Sequence, residues 1–152
     1  MLKFSLLGVL LVSITVVIHA TGTTSWLRHL ARRFGESAKT GQPPASWRIL
    51  IGTIVVLTGL HTMQVIVWAL AFLYMLPENV LRTFEEAVYF SFVTFTTLGY
   101  GDITFEGVWR ILSGIEALNG VLLIGWSTAL LFVVVQRIMK DILKQSADKQ
   151  NN

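Results

Sequence analysis

Three stretches of this chain are too long, too apolar and too free of charge to be at home in water. Phe4 to Thr21 runs through Leu, Val and Ile without a formal charge, and Ile49 to Leu76 does the same before Pro77 closes it. Ile111 to Val135 holds a single acid, Glu116, between Arg110 and Arg137. Each is near or above the ~20 residues a helix needs to cross ~30 Å of hydrocarbon. One such run can be buried in a soluble core, but three cannot find a core in a chain of 152 residues. The composition, 53% hydrophobic and 14% charged, also lies outside the soluble globular range. The expected fold class is therefore an all-α membrane protein with three transmembrane helices. Absence of cysteine removes disulfides, thiolate metal sites and cysteine nucleophiles together. The net charge of +3 does not point to nucleic acid, because Lys and Arg cluster beside the apolar runs rather than along one basic face.

A fourth segment, Thr83 to Thr97, has a helical pattern but is too short to cross a bilayer. Thr83 followed by Glu86 reads as a capping box, with Glu85 and Glu86 placed to favour the positive helix end. The helix expected from there carries Tyr89, Phe90, Phe92 and Phe95 and stops where Gly99 and Gly101 admit backbone angles other residues avoid. This is the pattern of a re-entrant segment, and irregular backbone at membrane depth is tolerated only inside protein or along a water-filled cavity. The glycine stretch is expected to line a pore.

The run Thr96-Thr97-Leu98-Gly99-Tyr100-Gly101-Asp102 resembles the selectivity filter of the potassium channel family, with Leu98 where Val is common. The resemblance covers 49–136, in the order outer helix 49–76, pore helix 83–97, filter 97–102 and inner helix 109–136. It leaves 1–48, a membrane helix with a basic loop, and 137–152, a short tail, outside. It implies that the carbonyls of Thr97, Leu98, Gly99 and Tyr100, with the Thr97 hydroxyl, coordinate K+. A dehydrated cation needs several oxygen ligands, and backbone carbonyls in stacked rings supply them. One chain gives a quarter of each ring, so the resemblance implies a tetramer: three further copies of the chain, the lipid bilayer and K+ ions as partners, and no cofactor. Thr96, Gly101 and Asp102 support the filter by the same likeness. Tyr89 and Phe90 stand where the family often has two tryptophans bracing it, and the Tyr89 hydroxyl either bonds Asp102 or only packs at a helix crossing. Val93 occupies the place of a buried glutamate found in some members. Gly120 and Gly125 are candidate gating hinges, although glycines in membrane helices also serve close helix approach.

Charge gives an independent orientation. Arg28, Arg32, Arg33, Lys39 and Arg48 face Glu36 alone between the first two runs, and Arg137, Lys140, Lys144 and Lys149 follow the third, so both flanks are expected in the cytoplasm. Between Pro77 and Trp109, Glu78, Glu85, Glu86, Asp102 and Glu106 face Arg82, which suits an outer mouth that concentrates cations. The N-terminus is then outside and the C-terminus cytoplasmic, in the cell membrane. A cleaved signal peptide over the first run is the rival reading, but it would strand the basic loop outside and invert the pore loop. The first run carries no arginine repeat of the voltage-sensor kind.

Polar residues inside the runs need protein partners. His61 and Gln64, one turn apart, and Glu116 and Asn119 form two such pairs, expected either to hydrogen-bond across the helices or to act as a pH-sensitive pair, His61 with Glu116. The expected function is passive K+ conduction without enzyme activity. The alternatives are a regulatory or assembly subunit of a heteromeric cation channel, and a membrane enzyme with a metal held by His19, His29, His61 and Glu116.

Overall fold

The computed structural model describes residues 2–40, 46–76 and 80–150. Among them are four helices and no strand: α1 (Leu2–Thr40), α2 (Ser46–Met75), α3 (Phe84–Phe95) and α4 (Val108–Gln150). Three stretches are long and apolar enough to cross a membrane, Phe4–Gly35, Ser46–Met75 and Val108–Leu143. The protein is a multi-pass membrane protein in which α3, 12 residues or about 18 Å long, stays short of a crossing.

The exterior and interior are inverted relative to a soluble bundle. Val9, Val17, Val55, Leu122 and Phe132 are exposed, whereas Thr15, His19, Thr53, Gln64, Glu116 and Asn119 are buried. Lipid accepts the first set, and only neighbouring helices can satisfy the second.

One difference from the sequence reading concerns 22–48, expected as a loop: the chain stays helical from Gly22 through Thr40. Leu30 is buried with Trp26 and Phe34 against Ile49, Leu57, Leu130 and Val134, so one apolar stripe continues past the last uncharged turn. Arg28, Arg32 and Arg33 share the exposed side. At the other end the inner helix runs past 136 to Gln150 without a break. Pro77 and Glu78 lie outside the described residues.

The short helix starts as its sequence suggests. Thr83 is its N-cap and accepts the Glu86 amide at 3.1 Å. The Glu86 carboxylate takes the amide of Arg82, at 2.7 Å, rather than that of Thr83. Ala87, Phe90 and Phe95 then enter a core with Trp68, Phe72, Phe105, Leu112 and Leu123, which seats α3 between α2 and α4.

Candidate functional site

Where α3 ends, the backbone changes hand at every second residue. Thr97, Gly99 and Gly101 have φ of 59°, 56° and 79°, and neither Leu98 nor Tyr100 joins them in the positive range. For glycine this conformation is free of a Cβ penalty, but for a β-branched threonine it costs about 1–3 kcal/mol and persists only where the surroundings impose it. Those surroundings are the end of α3: the amide of Thr97 donates to Thr94 O at 2.9 Å, and those of Leu98 and Gly99 both donate to Val93 O, at 2.9 and 3.2 Å. The Thr96 hydroxyl turns back to Phe92 O at 2.6 Å.

The amides of Thr97, Leu98 and Gly99 are thus spent on the helix, while the carbonyls of the strip are not. Among the described residues no donor pairs with the carbonyl oxygens of Thr97, Leu98, Gly99 or Tyr100. Alternating backbone hands turn successive peptide groups toward one side, so a row of unpaired oxygens is the chemical character of this strip. Leu98 and Tyr100 are 56% and 66% exposed in the single chain.

Beyond the strip, the Tyr89 hydroxyl donates to Asp102 Oδ2 at 2.7 Å, so of the two sequence alternatives for Tyr89 this geometry has the hydrogen bond. That bond holds the Asp102 carboxyl below its usual range and pushes the Tyr89 phenol up. Phe90 instead faces inward, against Phe105 at 4.1 Å and Phe72 at 5.3 Å between ring centroids. A cleft of about 590 Å³ is lined by Tyr89, Val93, Thr94, Gly99, Asp102 and Phe105.

Gly120 and Gly125 differ in their surroundings. A Cβ at Gly120 would overlap the Phe95 carbonyl, whereas nothing lies within 4 Å of one built at Gly125. The helix is continuous through both.

His61 and Glu116, grouped from sequence, are not bonded to each other. His61 bonds Gln64 and Ser127, and Glu116 lies beside Ser91 on α3. Although adjacent, the Ser91 hydroxyl and both Glu116 oxygens have no partner in hydrogen-bond geometry, and neither do Trp68 Nε1 and Asn119 Oδ1. The Asn119 amide donates to Thr15 Oγ1 of α1 at 2.8 Å. Among the described residues no three His, Asp or Glu side chains are grouped to hold a metal. Sequence reasoning missed Thr15 and Ser127 altogether. The signal for α1 was its spacing, since Thr15, His19 and Thr23 recur every fourth residue through an apolar run, and all three are buried.

Residues 55–137, over half of the chain, match a family model described as "Ion channel". No curated protein and no solved structure matches the chain.

Proposed function

Since the chain belongs to this ion channel family, we propose that four copies surround one axis and conduct K+ passively and selectively between the unpaired carbonyls of Thr97, Leu98, Gly99 and Tyr100. The observation that carries this reading is the conjunction of alternating positive φ at Thr97, Gly99 and Gly101 with the amides of Thr97, Leu98 and Gly99 bonded to α3 and carbonyls that no donor among the described residues takes up. Rings of such oxygens replace the hydration shell of an alkali cation, and the Thr97 hydroxyl completes the inner ring. No covalent step is involved. The exposed Leu98 and Tyr100 side chains support assembly, because neighbouring copies supply the packing that one chain lacks.

We assign the filter mouth to the outside, together with the N-terminus, and the C-terminus to the cytoplasm. Phe4 meets Trp109 edge to face at 5.0 Å, so the start of α1 shares an end with the pore loop. The Arg137 guanidinium lies 5.5 Å from the Phe34 ring, so the basic ends of α1 and α4 share the other. Positive charge gathered at one end supports that end as cytoplasmic.

Flux into liposomes tests the reading. The purified chain alone should pass K+ over Na+, with block by barium, and Gly99→Ala should abolish selective flux by forcing an alanine to φ near +56°. Absence of any flux from the wild-type chain overturns conduction by this chain alone and favours a subunit that works only beside other pore-forming chains.

A further inference from the structure

Between α1, α2 and α4 lies a closed circuit of hydrogen bonds that the conduction pathway does not use. Gln64 Nε2 meets His19 Nδ1 at 3.0 Å, His19 Nε2 meets Ser127 Oγ at 3.3 Å, Ser127 Oγ meets His61 Nε2 at 2.9 Å, and His61 Nδ1 meets Gln64 Oε1 at 3.1 Å. Four contacts and four side chains form one ring across three helices. His19 and Gln64 are fully buried and Ser127 nearly so.

The direction of every bond follows from elementary donor counting. Gln64 Nε2 also approaches the Thr15 carbonyl, a pure acceptor, at 3.5 Å, which places the amide nitrogen on the α1 side. Gln64 therefore donates to His19 Nδ1. With that nitrogen an acceptor, a neutral His19 carries its proton on Nε2 and donates to Ser127 Oγ. At the far side Gln64 Oε1 can only accept, so His61 carries its proton on Nδ1 and its Nε2 accepts the Ser127 hydroxyl. All four bonds run in one sense, and each donor meets one acceptor.

This closure holds only while both imidazoles are neutral. A proton added to His61 Nε2 faces it with the Ser127 oxygen and leaves the serine hydrogen without an acceptor. A proton added to His19 Nδ1 sets it against the Gln64 amide hydrogens. Either event breaks one bond of the ring at membrane depth, where a lost bond is costly. The remaining neighbours offer no counter-charge: Trp126 of α4 stands edge-on to His19 at 5.4 Å, Phe95 of α3 lies 5.9 Å from His61, and the two imidazoles are 5.3 Å apart. Glu116 is the one buried acid among the described residues, and it bonds to neither ring.

We propose that the His19–Ser127–His61–Gln64 ring is a proton-sensitive clasp that fastens α4 to α1 and α2 at neutral pH and releases it in acid. The clasp sits beside Phe95, whose carbonyl abuts Gly120, so α4 is released where it touches the end of α3. The imidazoles are the trigger because they are the titratable side chains of the ring.

The test uses the full chain in bilayers with nitrogen-labelled histidine, read by solid-state magnetic resonance at about pH 7.5 and about pH 5.0, on either side of the ordinary imidazole value. His29, which accepts from Arg33 at 3.2 Å, is removed from the spectra by His29→Gln. At the higher pH, His19 should be the Nε2–H form and His61 the Nδ1–H form. Identical tautomers, or a charged imidazole at the higher pH, overturn the ring as described. On acidification the wild type should lose thermal stability, and Ser127→Ala, which cannot close the ring, should lose under half as much over the same interval. Ser127→Thr, which keeps the hydroxyl, should restore the full response. Equal losses in wild type and Ser127→Ala overturn the clasp. If Ser127→Ala does not fold, the wild-type tautomers alone decide. None of these readouts involves ion flow, so a failed clasp and a failed conduction assay remain separate results.

Discussion

Tyr89 and Asp102 form an exposed pair whose consequence is read through pH. Because the hydroxyl donates to the carboxylate, the Asp102 carboxyl titrates below its usual 3.8. A depressed acid contributes its stabilisation above the unfolded value and loses it as pH falls through the folded one. Tyr89→Phe should therefore shift the acid midpoint of flux upward, toward the ordinary carboxylate range, and leave flux at neutral pH selective. A midpoint that does not move shows the bond has no hold on the mouth. Gly120 and Gly125 separate packing from hinging. Gly120→Ala must push α4 off the Phe95 carbonyl, and overpacking of this kind typically costs about 1–3 kcal/mol. Gly125→Ala meets nothing within the chain and should stabilise the helix, by up to ~1 kcal/mol from propensity. Thermal unfolding of the two variants in detergent checks the contrast, and equal effects would contradict it.

Among the helices, α3 depends most on its ends. Thr83→Ala removes the acceptor of the Glu86 amide and should cost about 1 kcal/mol, seen as a lower unfolding temperature. The cap and the three long apolar runs were legible because capping chemistry and hydropathy are local properties of sequence. The length of α1 was not. Arg28, Arg32 and Arg33 look like the start of a loop until Leu30 and Phe34 are seen to pack on α2 and α4, and only tertiary contact decides between the two. His61 and Asn119 do bond across helices, but their partners were hidden for a related reason. Periodicity places His61 and Gln64 on one face, but it does not say which helix covers that face. The structure covers it with α1 and the Ser127 turn of α4 rather than with Glu116. At the proposed filter the Thr-Thr-Leu-Gly-Tyr-Gly-Asp run was conspicuous, whereas the bonds of the Thr97, Leu98 and Gly99 amides to Thr94 and Val93 could not be read from the residue order.

For the proposed tetramer, Leu98 and Tyr100 carry the prediction. Solubilised protein should have a protein mass four times 17.0 kDa by native mass spectrometry. Tyr100→Ser should weaken that species, while a monomer in the wild type would refute the proposed axis. The buried ring has a further consequence for how the chain is made. The His19 and Ser127 side chains that share one of its bonds are separated by 108 positions. Translation delivers α1 to the membrane before α2 and α4, with Thr15, His19 and Thr23 still lacking the company they will have later. Pairing with α2 supplies Gln64 and His61 but leaves the loop open, since its serine arrives only with α4. An early partner for α1, whether the insertion machinery or a companion chain, would therefore have to shelter one polar seam until α4 has been made.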